Sequence, residues 1–351
     1  MKFTLSIVLV CFLGSFQVFA QKANNGTFAI SKVAVSPLSA SLGGSQIASF
    51  AGDVNQLVVN PALLDSSVSQ QLSLGYLNYL ADINQATVSY AQIIDSVGLV
   101  SGYFRYFDYG VFTERDEVGN QLGQFKIADY EVGFSFTRPY SDRISYGVTL
   151  KQYFSGSYQY FAYGVAADAG AYYHSQDNGF TAGLTLDDIG AKLVDYADDG
   201  ISAMSPSLNV GITKKFSKAP LRFGFQYNNL QKWDLAENDA DRVSILETDP
   251  LTGEVSRKKL TLDNLARHLC VSATILPTDN FNLMIGYNFR RRLELSIGER
   301  AGMVGFSFGA MVKIKRFTIQ YGLSSYHLNG TSNQIALTTN INQWYRKTTV
   351  K

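Results

Sequence analysis

Residues 317–325 read FTIQYGLSS, and this short stretch shows the pattern that decides the fold. Its side chains alternate between two faces, with Phe317, Ile319, Tyr321 and Leu323 on one and Thr318, Gln320, Gly322 and Ser324 on the other. The same alternation runs through LRFGFQYN (221–228), FNLMIGYNF (281–289) and VGFSFGAMVKI (304–314). A period of two residues marks β-strands that have one apolar and one polar face. The sequence therefore predicts an all-β protein from residue 70 onward.

The alternating segments are numerous and long. About fourteen can be drawn, over residues 70–79, 84–92, 96–106, 125–138, 144–154, 161–174, 179–187, 205–216, 220–229, 267–277, 280–289, 302–315, 316–327 and 332–343. Several approach the ~9–11 residues that a tilted membrane strand needs, whereas an ordinary strand has about 5–6. Short polar turns follow the even-numbered segments, and the longer connections, at 107–124, 188–204, 230–266 and 290–301, follow odd-numbered ones. This asymmetry predicts a transmembrane antiparallel β-barrel of the outer-membrane type over residues 70–351.

The first twenty residues have the features of a secretory signal peptide. Lys2 precedes an apolar run, and Val18-Phe19-Ala20 forms a small-residue cleavage site. Cleavage after residue 20 would leave Cys270 as the one cysteine, so no intramolecular disulfide is expected. The whole chain has 30 basic and 29 acidic residues, and this balance argues against nucleic acid as a partner. We therefore expect an exported protein that resides in the outer membrane of a Gram-negative bacterium.

Residues 21–69 lack strand alternation and contain the sequence Asn60-Pro61-Ala62. An Asn at the N-cap accepts hydrogen bonds from free backbone N–H groups, and Pro at the first helical position loses none. The stretch thus predicts an extended chain that turns abruptly into a short helix. Small residues recur on the polar face of the strands and leave room for an inner element: Gly133, Gly147, Gly170, Gly183, Gly224, Gly286, Gly305 and Gly309. We expect residues 21–69 to form a hatch inside the barrel.

The layout of this chain resembles the FadL-like outer-membrane barrels, in which an N-terminal hatch carries an Asn-Pro-Ala motif. The matching hatch positions are Asp53, Asn60, Pro61 and Ala62. Residues 42–91, from LGGSQIASFAGDV to NQATVSYA, and YHLNGTSNQIALTTNI (326–341) are similar to the PorQ family of the type IX secretion system. That resemblance implies a non-enzymatic subunit that organises surface attachment together with PorU, PorV and PorZ-like proteins. A transporter of fatty acids or other hydrophobic molecules remains the alternative.

The long loops are the segments that could build a specific surface. The loop at 230–266 is the best candidate for docking a partner, because it offers an aromatic anchor and charges of both signs. Its candidate residues are Trp233, Glu237, Asp239, Asp241, Arg257, Lys258 and Lys259. The second basic cluster, Arg290, Arg291 and Arg292, could contact outer-membrane lipid through the anionic head groups of lipopolysaccharide.

Enzyme chemistry finds little support in the sequence. His174 beside Ser175, with Asp177 nearby, is the one hint of a hydrolase, and the three fall in a short turn without a second base. The stretch ETDPLTGEVSRKK (247–259) resembles a fragment of a calcium loop but lacks its Asp-x-Asp-x-Asp ligand pattern and terminal Glu. We predict no catalytic residues, no metal site and no cofactor, and an outer-membrane hydrolase is kept as the weakest alternative.

Overall fold

The computed structural model describes residues 27–345 apart from 45, 50–51, 82, 159, 176–178, 197–199, 234, 236–245, 249–254, 258–260, 296–301 and 328–329. The predicted signal peptide lies outside the described residues. The wall of the molecule is built from fourteen strands within the described part of the chain. They are β1 (Gln71–Asn78), β2 (Asn84–Ile94), β3 (Gly98–Arg115), β4 (Gln121–Ser141), β5 (Ile144–Ser157), β6 (Tyr160–His174), β7 (Phe180–Val194), β8 (Ser207–Lys215), β9 (Leu221–Tyr227), β10 (Leu269–Thr278), β11 (Phe281–Asn288), β12 (Phe306–Ile314), β13 (Phe317–His327) and β14 (Gly330–Asn340).

These strands form one closed antiparallel barrel, as the sequence predicts. Each strand pairs with its neighbours in chain order, and β1 pairs with β14 to close the circle. The register is continuous, for example from Gln71 opposite Asn340 to Asn78 opposite Asn333. Closure leaves none of these strands with an unpaired edge, so backbone groups in a membrane are satisfied within the wall.

Burial follows the alternation of the sequence. In β13, Ile319 and Tyr321 are exposed on the outer face, whereas Gln320 and Ser324 are buried inside. The same holds on the opposite side of the barrel, where Phe134 is 61% exposed and its neighbour Ser135 is buried. Because the apolar residues face outward and the polar ones inward, the outer surface suits lipid and the lumen supplies the polar core.

The strands differ in length, and this corrects two predicted loops. Residues 188–194 belong to β7, so the connection predicted at 188–204 begins at residue 195. Residues 107–124 are mostly strand, since β3 and β4 continue as a paired ribbon to a turn at 116–120. A bulge between Asp108 and Val111 shifts the register and breaks the alternation, which explains why the sequence pattern ends at residue 106. Gly110 sits in this bulge with φ of 89°. The wall formed by β3 to β7 therefore rises above the rest of the barrel.

The predicted asymmetry of the two rims is present. Short turns follow the even-numbered strands, and the longest connections, at 195–206, 228–268 and 289–305, follow β7, β9 and β11. The 228–268 connection contains a small hairpin (Leu246–Thr248 with Val255–Arg257) and helix α2 (Thr261–His268), and the next one contains α3 (Phe289–Leu295). Two further helices are short, α1 (Pro37–Ser41) and α4 (Asn342–Tyr345). Among the described residues, no helix has the length and apolar character of a membrane span.

Candidate functional site: the occupied lumen

Residues 27–69, here called the N-terminal segment, run along the inside of the barrel from the long-loop end to the short-turn end. At the loop end, Thr27 Oγ1 donates a hydrogen bond of 2.7 Å to Asp195, just beyond β7. At the turn end, Asn340 Nδ2 donates to the Ser69 carbonyl at 2.8 Å. Between these points the segment forms α1 and four short 3-10 helices, Ala29–Lys32, Val54–Val58, Pro61–Leu63 and Ser66–Val68. The segment therefore occupies the lumen along its length.

The Asn60-Pro61-Ala62 turn has the local geometry that its sequence predicts. Asn60 is extended, with φ of −155°, and its Oδ1 accepts a hydrogen bond from the Ala62 amide at 3.0 Å. Its Nδ2 donates to the Ile47 carbonyl at 2.8 Å, which ties two turns of the segment together. Thr137 and Ser145 of the wall donate to the carbonyls of Pro61 and Ala62 at 2.5 and 2.6 Å. The helix that follows is a single 3-10 turn.

Glycines on the inward face make room for this turn. A Cβ at Gly170 would lie 2.1 Å from Asn60 Oδ1, and one at Gly147 would lie 2.6 Å from the Pro61 carbonyl carbon. On the other side of the lumen, a Cβ at Gly286 would lie 2.4 Å from Gly43 N. Contacts this short leave no space for a side chain. The predicted glycine row therefore does accommodate the segment at these positions, although Gly133 instead faces a tyrosine ring of the wall.

Asp53 is a buried carboxylate within the segment. Its Oδ1 accepts hydrogen bonds from the Asn55 amide and side chain at 3.0 and 2.9 Å, and its Oδ2 accepts from Gln320 Nε2 at 3.2 Å. Burial raises the pKa of Asp53, while these hydrogen bonds lower it. Because Gln320 belongs to β13 and Asn60 contacts β6, the segment is fixed to opposite walls.

The loop end of the lumen holds an apolar group, here called the loop-side cluster. Its buried members are Phe28, Ile30, Phe107, Tyr153, Ala162, Ala166 and Met204. Phe28 stacks on Tyr153 with ring centroids 5.4 Å apart, and it adopts a left-handed φ of 61°. Gly164 approaches the Phe28 ring so closely that a Cβ would lie 2.8 Å from it. The start of the N-terminal segment thus fills an aromatic chamber below the long loops.

Beside the cluster lies a belt of buried charges on the wall. Arg105 and Glu131 form a salt bridge of 2.7 Å, and each side chain is 1% exposed. Arg105 Nη2 also donates to the Val33 carbonyl of the N-terminal segment at 2.9 Å. Lys151 pairs with Asp168 at 2.5 Å and with Asp188 at 3.2 Å. These five strand residues, Arg105, Glu131, Lys151, Asp168 and Asp188, are here called the ionic belt. They link strands β3 to β7, and Arg105 also holds the segment.

The ionic belt was not predicted from the sequence. The sequence does contain a signal for it. Each of Arg105, Glu131, Lys151 and Asp168 lies at an inward-facing position of a strand whose outward-facing positions are apolar. A charged residue at such a position must be neutralised inside the lumen.

The contact between Thr27 and Asp195 is the outermost attachment of the segment. Burial raises the pKa of Asp195, but hydrogen bonds from Thr27 and Lys192 outweigh it and hold the pKa below its usual value. Lys192 Nζ lies 3.0 Å from the other carboxylate oxygen. Asp195 is therefore a charged anchor for the start of the segment.

The predicted docking loop is described only in part. Glu237, Asp239, Asp241, Lys258 and Lys259 lie outside the described residues, and Arg257 lies in the short strand Val255–Arg257. Trp233 is half exposed, and its ring lies 6.2 Å from that of His268.

The three arginines predicted to contact lipopolysaccharide have different surroundings. Arg290 is 43% exposed and pairs with Glu294 at 2.8 Å. Arg292 donates to the Gly302 carbonyl at 2.8 Å. Arg291 departs from the expectation because its side chain turns inward, where it lies 3.9 Å above the Tyr326 ring and donates to Ser307. Arg290 and Arg292 are thus partly exposed, whereas Arg291 is buried.

The remaining polar candidates do not assemble into a catalytic group among the described residues. His174 ends β6 and stacks on Tyr172, the Ser175 amide closes the turn onto the Phe180 carbonyl, and Asp177 is outside the described residues. No group of three or more potential metal ligands was found in the described part of the chain. Cys270 is buried and contacts the Leu42 carbonyl.

Comparison with solved structures shows what this fold is similar to. The toluene transporter TbuX of Ralstonia pickettii superposes with a TM-score of 0.50 at 12% identity, covering 89% of this chain and all of that one. The toluene transporter TodX of Pseudomonas putida gives 0.52 at 12% identity, with coverage of 87% and 97%. A deltaS2 mutant of TodX, a monoaromatic hydrocarbon channel, gives 0.53 at 13% identity.

Sequence comparison adds no relative. No family model matches the chain, and no curated protein matches it either. The structural comparisons confirm the predicted fold class, a closed fourteen-stranded antiparallel barrel like that of the toluene transporters.

Proposed function

We propose that this chain is an outer-membrane barrel that takes up small hydrophobic molecules through its loop-side mouth. The observation that carries the proposal is the aromatic loop-side cluster, which lies in the lumen of a fold shared with toluene transporters. An apolar ligand would replace the Phe28 ring against Tyr153 and Phe107 without exposing apolar surface to water. The N-terminal segment is then the gate, and its outermost turn is the part that moves.

The contacts of the outermost turn suit such a movement. Two hydrogen bonds tie it to the wall, from Thr27 to Asp195 and from the Ile30 amide to Asp129. Asn60 and Asp53 hold the inner part through several buried ones. Local opening begins where few buried contacts must break. A ligand that binds only after Phe28 leaves would shift the population toward the open turn.

A reversible lock tests this function. Thr27→Cys combined with Asp195→Cys places two thiols where a side-chain hydrogen bond now joins the residues. Uptake of a monoaromatic hydrocarbon or a fatty acid into vesicles containing the barrel should fall when the pair is oxidised and return on reduction. The matched control is Thr27→Ser with Asp195→Asn. Equal uptake in the oxidised and reduced states would contradict the gate, and no uptake by the unmodified protein would contradict transport.

A second function is supported by the filled lumen. The N-terminal segment crosses it with polar contacts on opposite walls, an arrangement suited to a rigid anchor as much as to a channel. Together with the resemblance to the PorQ family, this supports a role as a type IX secretion subunit that binds PorU, PorV or PorZ-like proteins. The exposed ribbon at the end of β3 and β4 and the 228–268 connection would carry the contact.

The two functions differ in what an affinity purification recovers. A secretion subunit, tagged and purified from detergent-solubilised outer membrane, should carry one of those proteins in stoichiometric amount. Shortening 234–258 to a tight turn should release the partner while the barrel remains assembled. A protein that takes up hydrophobic molecules into vesicles and is purified without a partner is a transporter.

A further inference from the structure

Helix α2 buries its polar side chains and exposes its leucines, which is the reverse of a helix that covers a water-filled barrel opening. Its polar residues Asn264, Arg267 and His268 are 2%, 3% and 1% exposed, whereas Leu262 is 82% and Leu265 is 45% exposed. A surface helix of a soluble protein shows the opposite arrangement. The polar side of α2 is therefore buried against the neighbouring connections, and its leucines are exposed.

Specific contacts fix this orientation. Arg267 Nε lies 3.0 Å from Asp263 and its Nη1 lies 3.6 Å from Glu294 of α3. The ring nitrogens of His268 lie 2.6 and 3.2 Å from the carbonyl oxygens of Asn228 and Trp233. Because these polar groups are buried and bonded, the helix cannot roll to hide its leucines without breaking several contacts.

The leucines border an apolar cleft on the outer wall. The cleft has a volume of about 290 Å³ and is lined by Tyr227, Leu262, Leu265, Ala266 and Leu269. Tyr227 and Leu269 are cross-strand partners at the loop ends of β9 and β10. They continue the outward row that contains Phe223 and Phe225, which are 40% and 52% exposed. The cleft is thus the upper end of the surface that faces lipid.

We propose that this cleft seats an acyl chain of lipopolysaccharide in the outer leaflet. Because the cleft is continuous with the lipid-facing row, we expect a lipid chain to occupy it. A neighbouring positive charge favours an anionic lipid. Glu294 Oε1, which contacts Arg267 of α2, also accepts from Arg290 Nε at 2.8 Å, so the exposed Arg290 lies at the same corner of the barrel. A head-group phosphate can approach Arg290 while the chain fills the cleft. The site is independent of what crosses the lumen.

Photolabelling in nanodiscs tests the proposal. The full-length mature barrel is reconstituted with lipopolysaccharide that carries a diazirine in one acyl chain, and labelled peptides are mapped by mass spectrometry. We expect label on residues 261–269, and Leu265→Asn should lower it by about tenfold, since one leucine's worth of apolar contact is lost. Leu122→Asn is the matched control, because Leu122 is 64% exposed on the β3–β4 ribbon and should leave the label unchanged.

Each other occupant of the cleft has its own signature. If residues 236–260 of this chain cover the cleft, label will be absent from 261–269 in the unmodified protein, and the proposal fails. If a protein occupies it, label will appear only after that protein is stripped from the purified barrel, which also overturns the proposal. Equal label in Leu265→Asn and the unmodified protein would show adventitious lipid contact. Recovery of folded barrel by gel mobility excludes misfolding as the cause of a lost signal.

Discussion

Replacing Arg105 should destabilise the barrel strongly at neutral pH. Its guanidinium pairs with Glu131 at 2.7 Å and also contacts Gln85 at 3.0 Å and the Val33 carbonyl at 2.9 Å. Arg105→Met keeps most of the side-chain volume but leaves Glu131 buried with one remaining donor, the Tyr103 hydroxyl at 2.5 Å. Removal of one partner from a buried ion pair costs ~3–5 kcal/mol, because the other charge stays uncompensated.

A double variant separates the contribution of the ion pair to stability from that of the other contacts of Arg105. Arg105→Met with Glu131→Gln removes both charges, and a buried pair replaced as a unit is often neutral. We therefore expect the double variant to recover most of the loss, with about 1 kcal/mol remaining for the hydrogen bond to Val33. Reversible urea unfolding in lipid vesicles, followed by tryptophan fluorescence, gives the four free energies of the cycle.

The result that refutes this reasoning is a small single-variant effect. A loss below about 1 kcal/mol for Arg105→Met would mean that water reaches Glu131 and screens it, as at a surface pair. The lumen would then be wet at the ionic belt, and the N-terminal segment would not seal it. In a protein that lacks residues 27–35, Arg105→Met should cost less unfolding free energy than in the full protein, because removing the segment admits water to Glu131.

Three other outcomes are expected from the same assay or from simple variants of it. Phe225→Arg should cost ~2–4 kcal/mol if its site is near the bilayer midplane, and Gln226→Arg, facing the lumen, should cost less; equal losses would contradict the barrel's orientation. Gly170→Val should cost ~1–3 kcal/mol or displace the Asn-Pro-Ala turn, whereas Gly156→Val, with open space around its Cβ position, should change little. The lowered pKa of Asp195 means that its anchor is at full strength at neutral pH and is lost only as the pH falls through that lowered pKa, so protease cleavage near residue 27 should rise only in acid.

The alternation of the sequence is sufficient to predict the wall because membrane strands obey one rule. Each residue faces either lipid or lumen, and successive residues must alternate, so FTIQYGLSS specifies both the strand and its orientation. The predicted strand boundaries differ from the structure mainly at the loop end, where that rule lapses. The ribbon beyond Asp108 is exposed on both faces, and α2 and α3 follow no period of two, so their positions could not be predicted from alternation.

The lumen could be predicted only in part. Asn60-Pro61-Ala62 predicted its own turn because capping is local, and the inward glycines predicted that something lies against the wall. Which glycine meets which residue depends on the path of an irregular segment, which no periodic pattern encodes. Gly133 illustrates the limit, because the group that fills its space is the Tyr103 ring from the neighbouring strand.

Directional contacts from the wall explain why an irregular segment can have one path. Apolar contacts such as those of Leu38 and Leu42 with Met284 and Met311 hold the segment against the wall, but apolar contacts are not directional and do not fix one register. The position of the segment is therefore set by hydrogen bonds, which are directional. Arg105 donates to the Val33 carbonyl, Gln334 to the Val35 carbonyl and Gln320 to the Asp53 carboxylate. Such bonds fix the register of the segment as ladder bonds fix a strand, and each loses its partner if the segment shifts by one residue. The first turn packs Phe28 into an apolar cluster, and the two carboxylates it contacts, Asp195 and Asp129, keep Lys192 and Tyr109 as partners when the turn leaves. The lumen can therefore open at this turn, because the wall carboxylates that the turn contacts keep other partners.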